Sequence, residues 1–217
     1  MPIRPRQTAP QQQPASRCRT PPRHPDPRPA AVFRQRLTRS PDQKNEYSAP
    51  ERWHEQRDDG KLKFVTEPPG KGYVHVLSID DVRQRIAELP REYTRNVEVV
   101  QFSGMTRKRA SFPCYGMQWG RTVYLYAIEE SLIETYYRPP SPQQKIEARM
   151  FGGEWRREGS LWRLVWTRET IRDFYLNNVL IHEIGHVNDD RNSNSVDRER
   201  YANWFAIEYG YRATRNR

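Results

Sequence analysis

Two histidines and a glutamate in the C-terminal part of the chain have the spacing of a metal-binding site. The segment reads His182-Glu183-Ile184-Gly185-His186. Histidines four residues apart lie on one face of a helix, about one turn from each other. Both imidazoles can therefore reach one metal ion. Glu183 points to a different side of the helix, where its carboxylate can hold a water molecule bound to that metal.

A second segment further along the chain can complete the site. Residues 199–206 read as a helix, and one face of it carries small side chains and a carboxylate. The residues on that face are Glu199, Ala202, Asn203 and Ala206. Glu199 can supply a third metal ligand, and Asn203 can orient a metal-bound histidine. The small residues allow the two helices to approach closely, and the polar loop 188–194 lets them fold back on each other.

Local signals predict where these two helices begin and end. The long helix that carries the histidines is expected to open at Thr170. Ser195 is the expected N-cap of the second helix, and Gly210 is its expected stop. A glycine inside a helix, such as Gly185, costs about 1 kcal/mol relative to alanine. That cost is understandable if the second helix or a strand must come close at this point.

The arrangement H-E-x-x-H is typical of zinc hydrolases. Three protein ligands leave zinc with an open position for water, which is the mark of a catalytic site and not of a structural one. The sequence therefore favours Zn²⁺ as the cofactor. Three tyrosines are candidates to donate a hydrogen bond to the reacting oxygen: Tyr175, Tyr201 and Tyr209.

Together the two segments resemble the ImmA/IrrE-like metallopeptidases, small gluzincins of bacteria and their phages. The similarity lies in H-E-x-G-H followed by E-x-x-A-N-x-F-A, and it covers roughly residues 176–208. The resemblance implies that His182, His186 and Glu199 bind zinc and that Glu183 is the general base. It also implies a cytoplasmic peptidase that acts on a protein or peptide, in several members a DNA-binding repressor.

The remaining signals predict an α+β domain over residues 51–217, in which a small mixed sheet packs on the H-E-x-x-H helix. The predicted strands are 73–77, 97–102, 121–128, 145–151 and 161–166, and helices are expected at 79–89 and 129–137. The resemblance implies a zincin-like fold, in which an edge strand binds the substrate as an added strand. Residues 121–128 or 161–166 are the two candidates for that edge.

The basic charge of the chain is concentrated in a tail. Ten Arg or Lys residues and two Asp residues give residues 1–44 a charge of +8, out of +10 for the whole chain. Residues 1–50 hold eleven of the eighteen prolines. Such a segment cannot bury enough apolar surface to fold, so we predict disorder over residues 1–50. The tail lacks the apolar region of a signal peptide, and no stretch has the apolar length of a membrane span.

A binding protein without catalytic activity is the alternative function. In that case the basic tail engages nucleic acid or an acidic partner, and the zinc site is structural or vestigial. Glu183 separates the two possibilities, because a vestigial site has no need of a general base. The two cysteines, Cys18 and Cys114, make a structural disulfide unfavourable and are typical of a reducing compartment.

Overall fold

The computed structural model describes residues 53–55, 60–106, 109 and 114–215, and these residues form a mixed α+β fold. The predicted disorder of residues 1–50 falls outside the described residues. The limits of the predicted 51–217 domain likewise stay a prediction. Within the described part of the chain, no helix has the length and apolar character needed to cross a membrane.

The described residues contain nine strands, most of them short. They are β1 Lys63–Thr66, β2 Tyr73–Val74, β3 Val99–Ser103, β4 Gly116–Trp119, β5 Thr122–Tyr126, β6 Ile128–Glu129, β7 Ile133–Tyr136, β8 Glu154–Glu158 and β9 Leu161–Val165. The α-helices are α1 Ile79–Ala87, α2 Arg91–Thr94, α3 Pro142–Met150, α4 Arg168–Phe174, α5 Leu180–Val187, α6 Ser195–Phe205 and α7 Ala213–Arg215. Two π-helical segments, Tyr175–Val179 and Ala206–Arg212, join α4 to α5 and α6 to α7.

The main sheet has the strand order β1-β3-β5-β4. Strands β1, β3 and β5 are parallel, whereas β4 runs antiparallel to β5. Among the described strands, β4 therefore lies at one edge. The prediction that residues 121–128 form the edge is wrong, because β5 is paired on both sides. The tight turn after Trp119 places the preceding strand outside it.

A second sheet has the order β7-β9-β8. Both neighbours of β9 run antiparallel to it, so β9 is the central strand. The other candidate for the edge, residues 161–166, is therefore also wrong. A strand's place in a sheet depends on pairing with distant segments, which periodicity within the strand does not report.

Residues 129–137 form strands and not the predicted helix. Glu129 pairs with β2, and β7 pairs with β9, with Glu134 opposite Leu164. Burial alternates along β7, and Glu134 and Tyr136 are its buried residues. This segment therefore follows the period of two of a strand, although its glutamates and leucine favour helix locally.

Residues 142–150 form helix α3, where the sequence predicted a strand over 145–151. A capping box begins the helix: Ser141 Oγ accepts from the Gln144 backbone N–H at 3.2 Å, and Gln144 Oε1 accepts from the Ser141 N–H at 2.8 Å. Pro142 suits the first turn, where a backbone donor is not needed. The residues that signal this helix, Ser141 and Pro142, thus lie before the segment that was predicted as a strand.

Other predicted elements are confirmed with shifted ends. Helix 79–89 is α1, and its N-cap Ser78 forms a capping box with Asp81. Only Tyr73–Val74 of the predicted strand 73–77 is paired. The predicted strands 97–102 and 161–166 correspond to β3 and β9.

The core joins the main sheet to α5. Val123 and Leu125 of β5 belong to the same buried cluster as Ile181 and Ile184 of α5. All four side chains are at most 1 % exposed. Burial of each such side chain stabilises the fold by about 1.5–3 kcal/mol. The helix that carries the two histidines is therefore held against the sheet by its opposite, apolar face.

The helix ends differ from the predictions. The long helix begins at Arg168 with Thr167 as its N-cap, and not at Thr170, whose hydroxyl and N–H join the capping box. Asn194, and not Ser195, caps α6, because its Oδ1 accepts from the Asp197 N–H at 2.9 Å. Gly210 does not stop the second helix, which continues as a π-helical segment. A Cβ on Gly210 would lie 1.9 Å from the carbonyl oxygen of Asn177, so this glycine allows the two long helices to touch.

Candidate metal centre

Three predicted ligands meet at one point between α5 and α6. The Nε2 atoms of His182 and His186 are 3.1 Å apart. Glu199 places one carboxylate oxygen 3.5 Å from His182 Nε2 and the other 3.4 Å from His186 Nε2. These three residues are close enough to bind one metal ion.

The spacing of these ligand atoms fits the requirement of a small ion. Metal–ligand bonds of about 2.0–2.1 Å in a tetrahedral site put neighbouring ligand atoms about 3.3–3.4 Å apart. The observed separations of 3.1–3.5 Å lie close to that value. The three side chains are between 11 % and 26 % exposed, so part of each one reaches solvent. A tetrahedral ion held by three protein atoms has a fourth position for a ligand such as water.

Close packing of α5 on α6 brings the glutamate to the histidines. A Cβ built on Gly185 would lie 3.1 Å from the Cα of Ala202 and 3.1 Å from the Cβ of Phe205. Both α6 residues are fully buried. The interpretation of Gly185 as a point of close helix approach is therefore confirmed. Ala202 also confirms the role predicted for the small residues on the glutamate face.

Glu183 is buried between α5 and the edge strand of the main sheet. Glu183 is only 7 % exposed. A Cβ on Gly116, the first residue of β4, would lie 2.8 Å from Glu183 Oε1 and 2.8 Å from Val179 Cγ1. The backbone of β4 at Gly116 thus packs directly against the Glu183 carboxylate. Gly116 was not predicted as a site residue, although a glycine in a strand often marks a close approach of this kind.

The electrostatics of the site follow from burial and from the carboxylates around the histidines. Burial raises the pKa of Glu183. Burial also opposes protonation of His182, but its hydrogen bond to Glu199 and the nearby carboxylates raise the pKa of His182 overall. For Glu199, burial favours the neutral form, yet its hydrogen bonds to both histidines hold the pKa of the carboxyl well below its usual range. Glu199 is thus the anionic member of the ligand set.

Two polar residues beside the candidate ligands were not found from the sequence. Asn178, one turn before His182, donates from Nδ2 to Glu147 Oε1 of α3 at 2.7 Å. The charge of Glu147 is among the influences that raise the pKa of His182. Asn178 could have been predicted from the sequence, because its spacing puts it on the same helix face as both histidines. Glu147 lies in the segment predicted as a strand, so its approach was not predictable.

Arg198 ties the edge strand to the end of α5. Its Nη2 donates to Gln118 Oε1 of β4 at 3.3 Å and to the carbonyl oxygen of His186 at 3.4 Å. Its Nη1 donates to the carbonyl oxygen of Asp189 at 3.4 Å. Because Arg198 is the neighbour of Glu199, these contacts help to fix the glutamate relative to the histidines and to β4.

Asn203 was predicted to orient one of the two histidines, and it does not bind the free ring nitrogen of His186. The Nδ1 atom of His186 is buried and has no hydrogen-bond partner among the residues described.

Two of the three candidate tyrosines have hydroxyl groups that are engaged elsewhere. Tyr175 is buried, and its hydroxyl donates to the carbonyl oxygen of Tyr126 at 2.8 Å. The Tyr209 hydroxyl is 2.8 Å from that of Tyr93. The guanidinium of Arg191 lies 5.5 Å from the ring centre of Tyr201. Neither Tyr175 nor Tyr209 is therefore available as a donor to a reacting oxygen in this arrangement.

Comparisons of the chain with models of protein families, with curated proteins and with solved structures found no match in any of the three. The resemblance to the ImmA/IrrE-like metallopeptidases therefore depends on the residues of the two helices alone.

Proposed function

We propose that the chain is a zinc-dependent metallopeptidase of the zincin-like, minimal gluzincin type, which acts in the cytoplasm on a protein or peptide. One observation carries the proposal. Two imidazole nitrogens of α5 and the two oxygens of one α6 carboxylate converge, with N–N and N–O separations of 3.1–3.5 Å, and Glu183 is buried on the same helix as the histidines. A regulatory or repressor protein is the substrate class that the resemblance favours.

The donor set supports zinc. Two imidazole nitrogens and one carboxylate oxygen form one of the ligand sets of catalytic zinc, with a fourth position left open. When bound, zinc supplies a Lewis acid that lowers the pKa of its water to about 7. His182, His186 and Glu199 would hold the ion, and the anionic Glu199 would offset part of its charge.

Glu183 is proposed as the general base. Its carboxylate would accept a proton from the attacking water and then deliver that proton to the nitrogen of the leaving amine. Gly116 matters for this step, because the strand backbone against Glu183 fixes where the carboxylate sits. A positioned acid or base typically contributes about 10²–10⁴-fold to the rate.

Strand β4 is proposed as the edge that receives the substrate. It lies last in the main sheet among the described strands, and its first residue touches Glu183. An extended peptide paired with the outer side of β4 would be held by its backbone, which suits a protein substrate without a fixed side-chain pattern. This assignment replaces the two strands suggested by the sequence.

The competing function is a binding protein whose tail engages nucleic acid or an acidic partner. The charge of +8 on residues 1–44 is the observation that favours it. The two functions differ in their need for Glu183, because only hydrolysis uses a base beside the metal.

Metal analysis and protein digestion test the proposal. Purified protein should carry one zinc per chain, and the double variant His182→Ala/His186→Ala should carry none. The zinc-loaded protein should release new peptide termini from candidate neighbouring proteins, as read by mass spectrometry, and a chelator should stop their release. Stoichiometric zinc in the double variant would contradict the ligand assignment.

A further inference from the structure

Two exposed tryptophans meet at the far end of β4. The ring centroids of Trp53 and Trp119 are 5.0 Å apart, at an interplanar angle of 44°. The two residues are 53 % and 41 % exposed, which is unusual for side chains of this size. Trp119 ends β4, so the pair is continuous with the strand whose first residue touches Glu183.

The tryptophan pair lies on the face of the sheet that is turned away from α5. Trp119 pairs with Thr122, and Trp53 packs edge-on against Tyr124, with ring centroids 5.8 Å apart. Thr122 and Tyr124 alternate along β5 with Val123 and Leu125, which belong to the core beneath α5. The tryptophan pair therefore forms a separate apolar surface and does not line the metal centre.

The register of a strand added to β4 determines which residue of the added strand contacts the tryptophan pair. In an antiparallel pair, residues directly opposite each other project to the same face. A residue opposite Trp119 would thus lie against the tryptophans. It would stand about 10 Å along the strand from the residue opposite Gly116, since each residue advances about 3.3 Å. Because the added strand runs against β4, this residue precedes the one opposite Gly116 by three positions.

We propose that Trp53 and Trp119 form a specificity subsite for a large apolar or aromatic side chain, located two to four residues before the bond that is cut. The inference rests on the proposed peptidase function, because the contact of Gly116 with Glu183 sets the position of the reacting carbonyl. Antiparallel pairing is chosen because it is slightly more stable per residue than parallel pairing. The occupant is the N-terminal half of an extended substrate.

The expected preference is modest and measurable. A contact between aromatic rings strengthens binding by about three- to tenfold beyond the effect of simple burial. The tryptophans lie on the face of the sheet turned away from the candidate zinc ligands. Their loss should therefore change substrate selectivity and leave the zinc content unaltered. A Trp119→Phe variant keeps a ring at the position and should keep most of the preference.

A proteome-derived peptide library digested by the zinc-loaded protein provides the first test. Phe, Tyr, Trp, Leu and Met should be enriched two to four residues before the cut. Trp119→Ala should lose that enrichment, whereas Trp204→Ala, which removes a tryptophan of similar exposure on α6, should retain it. Enrichment that persists in both Trp119→Ala and Trp53→Ala, or that falls after the cut, would overturn the inference.

A binding measurement separates this inference from the proposed function. Acetylated alanine–serine decapeptides with a single Phe placed at each position in turn are titrated against zinc-loaded Glu183→Gln protein, with a Phe-free peptide as reference. At one or two Phe positions the affinity should rise by about three- to tenfold, and Trp119→Ala should abolish the rise. Equal affinities throughout would overturn the subsite. Absence of cleavage in the library, with this binding pattern intact, would overturn the peptidase proposal and leave the tryptophan pair as a peptide-binding subsite.

Discussion

Replacing Gly116 with alanine should damage the proposed catalytic site without displacing the metal from its proposed ligands. The added Cβ would lie 2.8 Å from Glu183 Oε1 and 2.9 Å from Glu183 Cγ. Ordinary contact needs about 3.4 Å or more, so strand and carboxylate must separate by about 0.6 Å. A misplacement approaching 1 Å can cost about a hundredfold in rate. We expect kcat/KM to fall by about ten- to a hundredfold.

The metal itself should be unaffected, because the nearest atoms to this Cβ belong to Glu183 and Val179 and not to a ligand. Overpacking of a core costs about 1–3 kcal/mol. Gly153→Ala is a matched control, since its Cβ would lie 2.7 Å from the ring of Trp166 in another part of the fold. It should lower the thermal midpoint similarly and leave kcat/KM near the parent value.

Peptide hydrolysis, zinc content by mass spectrometry and thermal unfolding should be measured on both glycine variants. Full activity in Gly116→Ala would refute the contact between β4 and Glu183. Loss of zinc in that variant would refute the separation of base from ligands. Gly116→Ala/Val179→Ala removes one of the two clashes, so it should recover stability more than it recovers activity.

Three further outcomes follow from the same geometry. When free zinc is present at a hundred times its Kd, its binding should stabilise the fold by about 2.7 kcal/mol. Chelation of the zinc should therefore lower the thermal midpoint by about 5–11 °C, and no change on chelation would contradict the site. Glu199→Gln should weaken zinc binding at least about tenfold, read by competition with a chelating dye. Gly210→Ala should cost about 3 kcal/mol or more in denaturant unfolding, since its Cβ would meet the carbonyl oxygen of Asn177 at 1.9 Å; a neutral effect would contradict that helix contact.

The ligands could be predicted from the sequence because each lies at a helical spacing within a short segment. His182 and His186 share a face by periodicity alone, and Glu199 shares a face with Ala202. Gly185 confirmed the link between the segments, since an otherwise costly glycine marks where Ala202 approaches. Local periodicity was sufficient for this part of the site.

The edge strand proposed to receive the substrate could not be predicted, because its position depends on long-range pairing. Nothing within Gly116–Trp119 shows that this strand, and not Thr122–Tyr126, lies at the edge. Helix α3 was missed for a different reason, since its capping box at Ser141 lies before the segment that was read as a strand. Glu147, which α3 carries toward the histidines, was missed with it.

The most direct test of the account compares parent protein with Glu183→Gln, which keeps the size of the side chain and removes the base. Both proteins should hold one zinc per chain and unfold at similar temperatures. Cleavage of the peptide library by the variant should fall at least about a hundredfold. Undiminished cleavage by a zinc-loaded, folded Glu183→Gln protein would contradict the mechanism, and a parent that cleaves nothing would favour the binding-protein alternative.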